Sequence, residues 1–195
     1  YKRQALIFTS GINIFILLAI FIAGAFLLAY LIIFVPKFDY IQGRIFSFFN
    51  RETGTHNFQS DKAIESITSG GFFGKGIGEG VLKNRVPEAH TDYIISVISE
   101  EFGVVAIMLI LLLFLILIYM VFKKISFETN DKVKLILIGS ISLILMQATI
   151  HVGVNIRLFP TTGMTLPFLS YGGSSIISTS ILGGIILNLT KRKIT

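Results

Sequence analysis

The stretch Pro87–Tyr93 reads Pro-Glu-Ala-His-Thr-Asp-Tyr and runs straight into an apolar segment. Two chemistries compete for it. Thr91 or Asp92 makes a good helix N-cap, because a short oxygen-bearing side chain accepts from an otherwise unpaired N–H and an acid suits the positive end of the helix dipole. The same Asp92 can act as a proton acceptor where a long polar segment meets a membrane, the place where an enzyme must hold the head of a lipid-linked substrate. One His and one Asp are too few ligands for a metal site. The chain has no cysteine, which removes thiolate and redox chemistry. Glu100 and Glu101 open an otherwise apolar run. Carboxylates at that depth are costly and functional by default, unless they still reach the interface. Glu100 lies eight residues beyond Asp92, about 80° around a continuous helix, so the two could share a face.

Gln147, His151 and Asn155 recur at i, i+4 and i+8, one polar stripe on an apolar helix. The stripe suits an interhelical hydrogen-bond ladder or a polar cavity wall, with proton relay as a third reading. Pro160–Ser175 follows, with two prolines and three glycines that forbid a continuous helix. Broken backbone near a membrane is tolerated only inside protein or beside a water-filled cavity. This segment is therefore expected to be re-entrant or partly unwound and packed, with Gly163 and Gly172 permitting its turns. The glycine run Gly70–Gly80 is no phosphate loop, since no Lys-Ser or Lys-Thr pair follows it and no βαβ unit surrounds it. Tight turns and close backbone approach, or the wall of a substrate groove, remain.

The elements that must position these groups are membrane helices. Of 195 residues, 53% are apolar and only 14% charged, against about 25% charged in soluble domains; mean hydropathy is +0.79. Such a chain cannot hide its apolar surface in water. Four runs are candidates to span: about 11–35, 104–122, 133–156 and 172–190. Lys2 and Arg3, the lysines of Lys123–Lys134, and Lys191–Lys193 then fall on one side, which the positive-inside rule makes cytoplasmic. The 36–91 loop falls outside; its aromatics suit a segment lying on the membrane surface, and Asp61–Ser69 suits two helical turns. The fold class is all-α and polytopic, a single membrane domain. The net charge of +6 is dispersed among apolar runs, so it orients helices rather than binding nucleic acid.

Four motifs in order, Ser69–Gly78 (SGGFFGKGIG), Pro87–Asp92 (PEAHTD), Glu100–Gly103 (EEFG) and Pro160–Ser175 (PTTGMTLPFLSYGGSS), resemble the SEDS family of shape, elongation, division and sporulation proteins. The likeness runs from about Tyr40 to Gly184 and is nearer the family's division members than its elongation members. It implies a ten-helix protein, of which these four spans are the last four, in the bacterial inner membrane at the division septum. It implies a peptidoglycan glycosyltransferase that polymerises lipid II into glycan strands beside a class B penicillin-binding protein and other division proteins. It places the catalytic general base on Asp92. With that reading, Lys75, Lys83, Arg85 and Arg157 become candidates for the leaving diphosphate, and Glu88 and His90 for substrate and for placing Asp92. Glu100, Gln147, His151, Asn155, Thr161, Thr162 and Ser170 become supporting residues. A divalent cation is left open, and no other cofactor is implied. Departures from the family pattern are Lys62 and Ala63 for Gln and Ser, Asn84 for an acid, and Arg157 for a small Gly. Four helices alone are expected to be inactive. A lipid II transporter and a non-catalytic division scaffold are the rival functions.

Overall fold

The computed structural model describes residues 14–49, 55–86 and 89–191. All regular structure among them is helical. The chain divides into two compact units, Tyr1–Glu52 and Thr53–Thr195.

In the first unit, α1 (Ile14–Phe34) is apolar on every side and carries no charge. It stops because Val35 precedes a proline, which pushes Val35 to extended backbone (φ −100°, ψ 115°). A 3-10 turn, Pro36–Phe38, leads into α2 (Asp39–Phe49). The chain bends by 92° between the two helices. Around α2, Ile41, Ile45, Phe48 and Phe49 gather on one side; Asp39, Gly43 and Ser47 lie on the other together with Tyr40 and Phe46, and Arg44 sits at the boundary.

The second unit holds α3 (Thr55–Gly70), α4 (Leu82–Arg85), α5 (Ile94–Phe127), α6 (Asp131–Asn155) and α7 (Gly173–Thr190). α5, α6 and α7 are long and apolar enough to cross a membrane, and the bent pair in the first unit would make a fourth crossing. The protein is thus an all-α, multi-pass membrane protein. Val121, Leu137, Ile141, Ile144 and Ile186 bury a core between the three long helices. The tight α5–α6 turn closes with the Asn130 side chain accepting from Lys132 N at 3.0 Å, a helix N-cap. A Lys124–Glu128 pair at 3.1 Å lies at the same turn.

Two elements differ from the sequence reading. The span expected from residue 104 is the continuation of a longer helix broken at Gly103 (φ 79°, ψ −178°); the nine residues before the break belong to the same element as the span. The two turns expected over Asp61–Ser69 are a 16-residue helix, α3. The expected start of the first span, before residue 14, lies outside the described residues. At the end of the unit away from the α5–α6 turn, Ala63, Leu82, Val86, Ala89, Tyr93, Val97 and Val154 form a second core. α3, α4 and the turn before α5 thereby pack onto the ends of α5 and α6.

Candidate active site

The glycine run answers the break in α5. A non-helical Gly103 leaves carbonyls and N–H groups of its neighbours without helical partners, and buried backbone groups must find others. The glycine segment supplies them. Lys75 N donates to Glu100 O (2.9 Å) and Gly76 N to Glu101 O (3.0 Å), while Val104 N donates to Gly71 O (3.0 Å). The approach admits no side chain: a Cβ on Gly74 would lie 2.2 Å from Glu101 O, and one on Gly103 2.2 Å from Phe72 O. Close backbone approach is therefore the role of this run. Glu100 locks it further. Its carboxylate is buried, pairs with Lys75 Nζ at 2.9 Å, and accepts from Leu82 N, the first residue of α4, at 3.0 Å.

α6 ends in a Schellman motif. Leu158 N donates to Gly153 O (2.6 Å) and Arg157 N to Val154 O (3.1 Å). The motif needs a left-handed residue at its turning point, and that residue is Arg157 (φ 59°). Glycine is the residue that takes this conformation at least cost, which accounts for the glycine pattern from which Arg157 departs. The Arg157 side chain folds back and pairs with Asp61 of α3.

From there the chain returns across the top of the helices as an ordered, non-helical segment, residues 160–172. Leu166 is buried with Ile95 and Ala148 between α5 and α6. Gln147 Nε2 donates to Thr165 O at 2.9 Å, to Thr165 Oγ1 at 3.2 Å and to Ser175 Oγ at 3.0 Å. Ser170 Oγ accepts from Leu166 N at 2.8 Å. Gly163 is left-handed (φ 71°) and needs its glycine. Gly172 does not: its φ of −177° is ordinary extended backbone, and a Cβ there would only press on Thr165 Cγ2 at 3.2 Å.

The turn that carries Asp92 is held by three successive carbonyls. Tyr171 N donates to His90 O (3.1 Å). Thr91 O accepts from Ser170 Oγ (2.8 Å) and faces His151 Nε2 (3.3 Å). Asp92 O accepts from Asn155 Nδ2 (2.9 Å). The other end of the Asn155 amide accepts from Ser96 N (3.2 Å) and Ser96 Oγ (2.7 Å). This corrects the expected helix cap. The N-cap position of α5 is Tyr93, not Thr91 or Asp92, and the Tyr93 side chain makes no cap bond. Asn155, from another helix, satisfies the Ser96 N–H that a local cap would have taken. It also follows that Asp92 and Glu100 do not share a helix face, because Asp92 precedes the helix. Asp92 is half-buried, and a Cβ added to Gly163 would sit 3.8 Å from its Oδ2. The carboxylate thus stands beside the turn of the Pro160–Gly163 element.

Of the other anticipated residues, His90 and Arg85 are exposed, Thr161 is half-buried and Thr162 exposed. Lys83 lies on α4, and Glu88 falls outside the described residues. His151 and Asn155 are fully buried, so the polar stripe is a hydrogen-bond ladder holding two loops rather than a solvated wall. Among the described residues no group of three or more His, Asp or Glu is placed to hold a metal ion. Sequence reasoning missed Ser96, Asp61 and Tyr171. Ser96 and Asp61 act through partners 59 and 96 residues away, and Tyr171 acts through its backbone, which no residue type signals.

Residues 3–194 match the FtsW/RodA/SpoVE family, described as cell cycle proteins. Proteins named "Probable peptidoglycan glycosyltransferase FtsW" are similar in Enterococcus hirae (36% identity, 89% of this chain, 46% of the relative) and Caulobacter vibrioides (38%, 80% and 40%). A third, from Trichlorobacter lovleyi, is 34% identical over 95% of this chain and 49% of its own length. The chain spans about half the length of these relatives. A solved chain from work on the structural coordination of polymerization and crosslinking by a peptidoglycan synthase complex is also similar. It superposes with a TM-score of 0.68 at 26% identity, over 98% of this chain and 54% of the other. The chain belongs to the FtsW/RodA/SpoVE family of cell cycle proteins, the SEDS family that its motifs resemble.

Proposed function

We propose that this chain carries the catalytic carboxylate of a peptidoglycan glycosyltransferase that polymerises lipid II at the outer face of the bacterial inner membrane, at the division septum. The observation that carries this reading is Asp92, held by its backbone and set beside the Gly163 turn at the end of the helices away from the basic α5–α6 turn. A sugar hydroxyl attacks the anomeric carbon of a second, lipid-linked sugar. The bond from that carbon to the diphosphate breaks, the lipid diphosphate leaves with the electron pair, and Asp92 takes the hydroxyl proton as general base. Arg157 and Arg85 lie at the same end and are assigned, with Lys83, to the leaving diphosphate. Lys75, already neutralised by Glu100, is assigned to holding the glycine segment.

Coverage of about half of each relative supports reading these helices as the last four of ten. The structural relative's origin in a peptidoglycan synthase complex supports a cross-linking partner, a class B penicillin-binding protein. Lipid II polymerisation by the full-length protein carrying Asp92→Asn tests the assignment. Asn matches Asp in size but is no base, and loss of a general base typically costs about 10²–10⁴-fold in rate. Near-normal polymerisation by that variant would remove Asp92 from the chemistry.

A further inference from the structure

Asn155 is a side-chain amide with both ends engaged in a buried setting. Its oxygen accepts from Ser96 N and Oγ, closing the first turn of α5. Its nitrogen donates to Asp92 O at 2.9 Å and to His151 O at 2.9 Å. Four residues earlier on the same helix, His151 Nε2 faces Thr91 O at 3.3 Å. A carbonyl can only accept, so Nε2 must carry the proton, and Nδ1 is left unprotonated towards Asn155 Nδ2 at 3.4 Å. Ser170 closes the same turn from the other side, donating to Thr91 O.

We propose that Asn155, backed by His151 and Ser170, is a positioning residue for Asp92. It fixes the main chain of the 90–92 turn and so sets where the Asp92 carboxylate stands relative to substrate. This rests on the reading of Asp92 as the base. The side chain that should do the chemistry hangs from a single rotatable stem, so its aim depends on the main chain behind it. The Asn155 N–H···O bond to Asp92 holds that main chain directly.

The substitution Asn155→Asp separates positioning from folding. A carboxylate still accepts from Ser96, and it suits a helix N-terminus, so the cap on α5 survives. The donor to Asp92 O is lost. The test uses the full-length protein in lipid vesicles, with two readouts. The first is lipid II polymerisation. The second is the mobility of a nitroxide on His90→Cys, an exposed position; residues 1–195 hold no other cysteine, and any cysteine elsewhere in the full-length protein is first replaced by serine.

The expected result at about pH 7.5 is a kcat lower by about 10- to 100-fold with KM nearly unchanged, and a freer nitroxide. A kcat within about threefold of the parent, or a nitroxide that ignores the substitution, overturns the proposal. If the variant fails to insert, Ser170→Ala is read in the same assays, and unchanged nitroxide mobility there overturns it equally. Nitroxide changes that follow Asn155→Asp as expected, while Asp92→Asn still polymerises, would uphold the clamp and sink only the assignment of Asp92 as base.

Discussion

Glu100 and Lys75 form an ion pair of 2.9 Å in which the carboxylate is buried and the ammonium is about a third exposed. The two partners are not equivalent. Glu100→Gln retains an oxygen for the Leu82 N–H and should cost about 1 kcal/mol, an ordinary hydrogen-bond loss. Lys75→Met leaves a buried carboxylate with only the backbone donors of Leu82 and Val81 and should cost about 2–3 kcal/mol, less than a fully buried pair because the lysine is partly solvated. Thermal unfolding in detergent should rank Lys75→Met below Glu100→Gln, and the reverse order would count against the pairing.

The α5 break should tolerate no side chain. Gly103→Ala and Gly74→Ala each place a methyl group 2.2 Å from a backbone oxygen in a left-handed residue. Either should abolish folding or shift the glycine segment off α5. Gly139→Ala in the middle of α6, with nothing within 4 Å, should be neutral or stabilise by up to about 1 kcal/mol. Yield and melting temperature of the three variants decide the matter.

Arg157 sets two opposed effects against each other. Arg157→Gly relieves a left-handed non-glycine residue, worth about 1 kcal/mol, and removes the Asp61 pair. Asp61→Asn removes the pair and keeps the strain. Asp61 is half-exposed, so its pair contributes at most about 1 kcal/mol. Arg157→Gly should therefore match or exceed the parent in stability while Asp61→Asn falls slightly below it. If Arg157 also serves the diphosphate, Arg157→Gly should lose polymerisation while it keeps its melting temperature.

Orientation can be read with single cysteines in the full-length protein. The lysine-bearing α5–α6 turn should face the cytoplasm. In intact spheroplasts an impermeant thiol reagent should label Thr68→Cys on α3 and spare Thr129→Cys in the turn. The opposite pattern would invert the topology.

α2 should lie flat on the membrane surface. If α1 crosses the bilayer, the 92° bend turns α2 into its plane, and its two-sided pattern suits an interface. Residues 1–195 contain no tryptophan, so in this chain Phe48→Trp and Ser47→Trp report on their own positions. Lipids brominated near the headgroup should quench Phe48→Trp strongly and Ser47→Trp weakly; equal quenching would reject the arrangement.

Much of this site was legible before any coordinates. The four-residue spacing of Gln147, His151 and Asn155 marks one helix face, and Pro160 with Pro167 forbids a fifth long helix, because both signals are local. The partners of that face were not legible. Ser96 looks like any serine on an apolar helix, and Thr91 and Asp92 look like a helix cap until Asn155 arrives to do the capping. Glu100 drew attention as a costly boundary acid, yet its role depends on Lys75, 25 residues earlier. Arg157 differs: a left-handed arginine leaves no mark in composition or period, and only the bond from Leu158 N to Gly153 O shows why the chain turns there.

The fastening of Asp92 by Asn155, Ser170 and Tyr171 also fixes an order of events during synthesis. Asp92 leaves the ribosome well before the residues that hold it, the last of them Tyr171, 81 positions behind its own partner His90. At about 5–20 residues per second this is a delay of several seconds, during which α6 must also insert and turn back. A nascent chain stopped before Tyr171 would carry every residue of the PEAHTD motif and still lack the fastened turn. The turn comes into place only when α7 is about to begin, so premature release yields a chain in which the Asp92 carboxylate is not yet held.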